Sequence, residues 1–527
     1  MEPVGVVDLF CGAGGLSEGF RAAGARILAG TDHDPDACAT YAANFPEAIV
    51  VCGDVREPAI RERILDAAAG ARVVVGGPPC QAFSQVRNHV RMIDDPRNAL
   101  YREFVGIVDQ LEPDIFVMEN VPGMDQMGVR DQVLADLELD GHYVVRARLL
   151  DAVDFGVPQT RKRIVFVGVR SDLAVEPPVV AGTGVVDTLT LARRNGTEPV
   201  HYEVQGPGSG LAAWQERLVD PRDLSVVTAA QAIGDLAALT AGERRDSRPT
   251  IDLGPALSAY QELMRRGLGS EITNVSVPRT NADTVLRLNG VPQGGNHRDL
   301  ADELRERYLT GQRWGPDAGN GRLSRRHYYA YRRLHPDFWS WTLNTKADSV
   351  YHYAAARALS VREFARLQSF PDRFTFTTDG RRGPLPGRIE GGAAHSRYRQ
   401  VGNAVPPLLA QAIAQSVLAA LTEIGEAFNV DGHRQRVVAF KCSKCRALCL
   451  QHQSGPPGCL VVSRRGSGST VERRRAGFQR QLAVRLEARS RQEVVPVGRS
   501  GPHPRSRRRC PERLAAVRPQ CWRPRFS

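Results

Sequence analysis

Val4-Gly5-Val6-Val7-Asp8-Leu9-Phe10-Cys11-Gly12-Ala13-Gly14-Gly15-Leu16-Ser17 begins as an apolar run and ends in a glycine-rich turn. A buried strand, a Gly-rich turn and a helix from Leu16 to Ala23 open a βαβ unit. Glycines let the backbone approach a ligand, and a helix N-terminus presents free N–H groups to an anion. A dinucleotide fingerprint needs a third glycine where Ser17 stands, so the turn suits a different anion, such as a cofactor carboxylate. The pattern then repeats. Arg26 to Gly30 reads as a second strand and Pro35 to Asn44 as a helix. Ile49–Cys52, Val73–Val75, Ile115–Met118 and Ile164–Val169 read as further strands, with helical spacing between Leu100 and Leu111. Such alternation predicts an α/β fold with a doubly wound, mostly parallel, Rossmann-like sheet.

Chemistry-bearing residues fall at the strand ends, where open α/β sheets hold ligands. Asp32 ends the second strand and is placed to grip ribose hydroxyls. Asp54 follows the third and is placed to accept from an adenine amino group. With the Gly-rich turn, the two acids indicate an adenosine-containing cofactor. Cys80 lies in Gly76-Gly77-Pro78-Pro79-Cys80-Gln81-Ala82-Phe83-Ser84, past the strand rather than inside it, which favours a reactive thiol over a small core residue. Glu119 ends Ile115-Phe116-Val117-Met118, and its type fits a proton donor or base-edge reader as well as a structural salt bridge. Arg161 and Arg163 share one face by the two-residue period, so they are expected to converge on one oxygen, or to form a solvated basic edge.

The motifs occur in a recognisable order. Asp8-Leu9-Phe10-x-Gly12-x-Gly14-Gly15, Pro78-Pro79-Cys80-Gln81-x-Phe83-Ser84, Glu119-Asn120-Val121, Gln159-x-Arg161-x-Arg163, Arg362-Glu363-x-x-Arg366-Leu367-Gln368-x-Phe370-Pro371 and Gly402-Asn403-Ala404-Val405 resemble the DNA (cytosine-5)-methyltransferases, in particular bacterial type II modification methylases. The resemblance covers roughly residues 4–170 and 357–424. It implies S-adenosyl-L-methionine as methyl donor, S-adenosyl-L-homocysteine as product, and no required metal. It implies a catalytic set of Cys80, Glu119, Arg161 and Arg163. The cofactor would lie among Phe10, Gly12, Gly14, Gly15, Leu16, Asp32, His33, Asp54, Val55, Pro78, Leu100, Asn403, Ala404 and Val405. Gln81, Ser84, Arg325 and Arg326 would contact double-stranded DNA. Residues 1–170 plus 396–427 would form a discontinuous catalytic domain, 171–395 an inserted target-recognition domain, and 428–527 a basic tail of low order. The implied role is protection of host DNA in a restriction-modification system, by a cytoplasmic monomer with a cognate endonuclease acting on the same site without direct contact. An RNA cytosine-5 methyltransferase on the same scaffold is the alternative, followed by a non-enzymatic DNA-binding relative.

Composition limits the remaining classes. Of 527 residues, 42% are hydrophobic and 24% charged, as in ordinary globular chains. The N-terminus lacks the basic and apolar regions of a signal peptide, and no apolar run is read as a membrane span. The net charge of +12 is unevenly spread. From Val430 to Ser527 there are 23 Lys+Arg against 5 Asp+Glu, whereas the preceding residues hold 47 against 53. This tail cannot bury enough apolar surface to offset its ordering entropy, and it reads as a non-native extension or a basic arm for DNA. Cys442-x-x-Cys445-x-x-x-Cys449-x-x-His452 has the ligand types for zinc but no evident strand pairs to frame it, so no metal site is expected. Deleting residues 430–527 should leave methyl transfer within about threefold of the full chain; a large loss of low-salt DNA affinity in a filter-binding assay would identify the tail as a DNA arm.

Overall fold

The computed structural model describes residues 2–79, 99–126, 130–180, 227–236, 238–242, 244–304, 331–380 and 393–429, with three short strands beyond them. Two compact units separate, residues 1–435 and 436–527. The first is built on seven strands: β1 (Gly5–Leu9), β2 (Arg26–Asp32), β3 (Ile49–Cys52), β4 (Val73–Gly76), β5 (Ile115–Asn120), β6 (Tyr143–Asp151) and β7 (Lys162–Arg170). Their order is β3-β2-β1-β4-β5-β7-β6. β1 to β5 run parallel, and β7 is antiparallel to both β5 and β6. The helices α1 (Gly15–Ala22), α2 (Pro35–Asn44), α3 (Pro58–Ala67) and α4 (Ala99–Leu111) connect the first five strands. β6 is absent from the strands read in the sequence. It lies on the sheet edge with Arg146, Arg148 and Leu149 turned outward or half-exposed, which removes the apolar alternation that marks a strand.

Successive residues alternate between two cores, as expected for a sheet covered on both faces. Val6, Val73, Val75, Ile115, Val117 and Val165 enter one core. Val7, Leu9, Val74, Phe116, Met118 and Phe166 enter the other. The helix Pro407–Asn429 closes the first core by packing on α1. Gly15 and Gly19 permit this approach: a Cβ at Gly15 would overlap the Val405 carbonyl, and one at Gly19 would overlap Ala410. The helical stretch His395–Ile424 has the length and hydropathy of a membrane span, contrary to the sequence reading, but 78% of its apolar window is buried inside the protein.

Between the sheet and that helix the chain forms short elements: helices Ala229–Ile233, Ala259–Arg265 and Ala282–Gly290, and a ladder of Ser247–Pro249 with Glu271–Thr273. Leu236, Leu239, Leu253, Ile272, Val275 and Val277 give part of this region a small core. Buried charge ties it to the helix Val361–Leu367, whose Ser360–Glu363 capping box is formed. Arg366 reaches Asp235 at 2.6 Å and Asp372 at 2.7 Å, with all three side chains fully buried. Arg362 donates to the Thr273 carbonyl at 3.0 Å, and burial pushes its guanidinium down to about 10.

The second unit contains an antiparallel sheet of Val437–Lys441, Leu448–His452 and Leu460–Val461. These strand pairs correct the expectation that the tail has none. Cys449 and His452 lie on the middle strand, whereas Cys442 and Cys445 lie outside the described residues. In the first unit, Arg366→Ala strands two buried carboxylates and should lower stability by about 3–5 kcal/mol, read from urea denaturation of the 1–435 body within the full chain.

Candidate active site

The turn after β1 is shaped by left-handed backbone. Phe10 has φ +57°, an uncommon conformation for a bulky residue, and Gly12 and Gly14 have φ +53° and +96°. A Cβ at Gly14 would also overlap the Phe45 ring. Asp32 holds this turn to its neighbours. Its carboxylate accepts from the Gly12 N–H and the Asp34 N–H, each at 2.9 Å. Its carbonyl accepts from the Gly53 N–H at 3.0 Å, at the end of β3. His33 Nδ1 lies 3.3 Å from Asp32, and that carboxylate raises the imidazole. Asp54 is held by Arg56 through both oxygens, which lowers its carboxyl to about 2. Val55 and Pro78 are buried and Leu100 is half-buried on α4.

The four-residue return Gly402 to Val405 meets the turn from the other side. Ala404 and Val405 are buried, Asn403 is exposed, and the Ala404 carbonyl accepts from Gln368 Nε2 at 2.6 Å. Gln368 is bonded to Gln159, which also accepts from the Leu343 N–H at 2.9 Å. Among the described residues, a Cβ built on Gly12 meets no atom within 4 Å, so space faces the turn there. The turn is thus flanked by the acids Asp32 and Asp54 at the ends of β2 and β3.

Two strands away stands a charged pair. Arg163 Nε approaches Glu119 Oε1 at 2.6 Å, with both side chains about nine-tenths buried. Gly77 leaves room for this pair, since a Cβ there would press on Glu119 Oε2 at 3.0 Å. The neighbouring Asn120 donates to the Pro78 carbonyl at 3.1 Å and fixes the chain as it leaves β4. Arg161 does not converge with Arg163. It is buried, donates to the carbonyls of Leu343 at 3.2 Å and Gly402 at 2.8 Å, and burial pulls its guanidinium down. The two-residue period placed both arginines on one side but could not show that the 402 segment would claim the first. Cys80, Gln81, Ser84, Arg325 and Arg326 lie outside the described residues.

The sequence reading assigned no role to Asp8, Asn120 or Gln368. Asp8 carried a signal: it is an acid within an otherwise apolar strand. Its Oδ2 accepts from Ser17 Oγ at 2.7 Å and from the Ser17 N–H at 3.2 Å, and Ser17 Oγ lies 2.6 Å from the Tyr41 hydroxyl.

A C-5 cytosine-specific DNA methylase model matches residues 4–204 and 282–419. The Type II methyltransferase M1.HphI of Haemophilus parahaemolyticus is 33% identical over 78% of this chain and 86% of its own length. The chain belongs to the C-5 cytosine-specific DNA methylase family. M.AgeI of Thalassovita gelatinovora, also a Type II methyltransferase, is 31% identical over 79% of the methylase described above and 99% of its own length. The fold is shared with a candidate DNA modification methyltransferase encoded in an E. coli prophage: TM-score 0.51 and 23% identity over 80% of this methylase and 99% of that chain. Residues 205–281, which include the ladder of Ser247–Pro249 with Glu271–Thr273, lie outside the matched ranges of the family model.

Burial raises the Asp8 carboxyl from its ordinary range to about 7. Between about pH 4 and 7 the folded methylase therefore keeps a proton that the unfolded chain has released, so stability falls as pH rises across that window. The full effect is on the order of 4 kcal/mol for a shift of this size. Denaturant midpoints at pH 5 and pH 8 should show this loss in the wild type and a flatter profile in Asp8→Asn.

Proposed function

We propose that this methylase moves a methyl group to carbon 5 of a cytosine flipped out of a specific double-stranded DNA sequence, as the modification half of a restriction-modification system. The observation that carries the reading is the buried Glu119–Arg163 pair, set beside the strand end that leads through Pro78 and Pro79 to Cys80. Carbon 5 of cytosine is a weak nucleophile, and a thiolate adding at carbon 6 activates it. Cys80 is assigned that addition. Glu119 holds the N3/N4 edge and supports neutralisation of the charge that builds at N3. Arg163 keeps the carboxylate oriented and faces the O2 side, and Arg161 is a positioning residue. S-adenosyl-L-methionine, when bound, supplies the methyl group and leaves as S-adenosyl-L-homocysteine. Loss of the carbon-5 proton then expels the Cys80 sulfur and restores the ring.

The target carbon is inaccessible in a stacked duplex, which is why extrusion is part of the proposal. Gln81 and Ser84 are assigned to DNA beside the extruded base, and Arg325 and Arg326 to phosphate or guanine contacts. Residues 1–170 with 396–427 form the catalytic domain and 171–395 the recognition domain in this reading; the bond from Arg161 to the Gly402 carbonyl supports the return of the far segment. The names of the Type II relatives support the restriction-modification role; in this reading the enzyme is monomeric, works in the cytoplasm, uses no metal, and shares its site but no contact with an endonuclease.

Cys80→Ser should lose at least 1,000-fold in methyl transfer, in the range that loss of a nucleophile costs, while binding S-adenosyl-L-homocysteine as the wild type does. Wild-type protein should become irreversibly bonded to duplex DNA containing 5-fluorocytosine when the methyl donor is added. Methyl transfer by Cys80→Ser at near wild-type rate would overturn the assignment. Bisulfite sequencing of DNA from cells expressing the chain identifies the base and its site.

A further inference from the structure

Three cysteines gather at the cofactor end of the sheet, and the chemistry assigned to Cys80 uses none of them. Cys11 follows β1, Cys38 lies on α2 and Cys52 ends β3. The Cys38 thiol donates to the Asp32 carbonyl at 3.3 Å, the oxygen that also accepts the Gly53 N–H. Cys52 pairs in register with Asp32 across β2 and β3. After burial, the neighbouring Cys52 thiol also raises the Cys38 thiol, and both residues adjoin Asp32. Cys52 is exposed and Cys38 is buried. An accessible thiol beside a sheltered second one is the arrangement in which a first oxidation product is captured as a disulfide.

We infer that Cys52 and Cys38 are a hydroperoxide-sensitive thiol pair whose joining displaces Asp32 and weakens cofactor binding. The inference rests on the cofactor reading above for its consequence, though not for the chemistry of the pair. Cys52 is the thiol the oxidant meets. Its sulfur takes one oxygen from the hydroperoxide, giving a sulfenic acid and releasing the alcohol, or water when the oxidant is hydrogen peroxide. The Cys38 sulfur then attacks the Cys52 sulfur, the S–O bond breaks, and the hydroxyl leaves with the Cys38 proton as water. Two thiols are oxidised and one peroxide is reduced. Burial raises the Cys38 thiol, so the exposed Cys52 is the one oxidised first, and Cys38 gives its proton to the departing hydroxyl as its sulfur attacks. Cys11 is buried, follows β1 and not the β2–β3 pair, and donates weakly to the Gly12 carbonyl at 3.7 Å.

The coupling to the cofactor passes through Asp32. Joining the sulfurs requires them to close to about 2.05 Å and removes the S–H that Cys38 gives to the Asp32 carbonyl. The carboxylate of the same residue anchors the Gly12 N–H of the open turn. Displacing Asp32 therefore disturbs the ribose acid and the glycine turn together.

The test uses full-length Cys80→Ser, which removes the catalytic thiol, with and without Cys52→Ser at the exposed position. Protein treated with hydrogen peroxide is digested without reduction and mapped by mass spectrometry, and S-adenosyl-L-homocysteine affinity is measured by calorimetry. The expected result is a Cys38–Cys52 linked peptide with an affinity loss of at least tenfold, reversed by dithiothreitol and absent in Cys52→Ser. No linked peptide, or a linked peptide with a smaller affinity change, overturns the inference. Failure of the reduced protein to bind S-adenosyl-L-homocysteine would instead strike the cofactor reading, and with it the proposed consequence of the linkage.

Discussion

The Val405 carbonyl lies where any side chain at residue 15 would have to be, and this backbone approach joins the two ends of the catalytic body. Apolar packing of the helix Pro407–Asn429 on α1 could tolerate small slips along either axis. Polar bonds do not. Arg161 donates to the Gly402 carbonyl, Gln368 donates to that of Ala404, and a Cβ at Gly402 would overlap the Asn344 carbonyl. Each group is buried, so leaving one unpaired costs about 1–3 kcal/mol, and a slip would break several at once. The register of residues 402–405 over the β1 turn is therefore set by directional bonds, while the helix behind it supplies the bulk of the buried area.

That closure lets one sheet edge carry two chemistries. The order β3-β2-β1-β4-β5 places Asp54, Asp32 and the Gly-rich turn on one side, and Pro78, Glu119 and Asn120 on the other. Chain direction reverses its winding between β1 and β4, and that crevice is where an open α/β sheet accepts a ligand. β7 enters antiparallel against β5, with Glu119 opposite Val165 and Asn120 opposite Ile164. This reversed strand brings Arg163 to the Glu119 carboxylate from the far side. A parallel strand arriving there would need a crossover and would carry its N-terminal arginines to the other end of the sheet.

Strands β1, β2, β4, β5 and β7 were legible in the sequence because burial on both faces writes them as apolar runs between turn residues, and β3, an edge strand with Ile49 and Cys52 exposed, because its short run is apolar all the same. The strand-end residues were legible for a related reason: Asp32 and Glu119 interrupt apolar sequence at points where a core would not admit charge. β6 was not legible, since an edge strand with Arg146 and Arg148 lacks that contrast. Arg161 shows a different limit. Local periodicity gave the direction in which its side chain leaves the backbone, but its partners are the carbonyls of Leu343 and Gly402, far away in sequence. Asp235 and Arg366 were hidden in the same way. Each is a charged residue among short elements of weak periodicity, and only the fold shows that both are buried against one another.

The preformed Glu119–Arg163 pair shows what these arrangements do to charge at the end of β5. A carboxylate free in solution reorganises its water shell whenever charge nearby changes. Here the oxygen is already oriented by a guanidinium at 2.6 Å, and its surroundings are largely dry. Dipoles fixed before the reaction stabilise developing charge without paying for rearrangement at that moment. The same holds for the approach of the chain: Asn120 fixes the Pro78 carbonyl, so the backbone entering the segment of Cys80 starts from a defined place. Rigidity at the strand ends, inherited from the two cores beneath them, is thus what holds both groups in place.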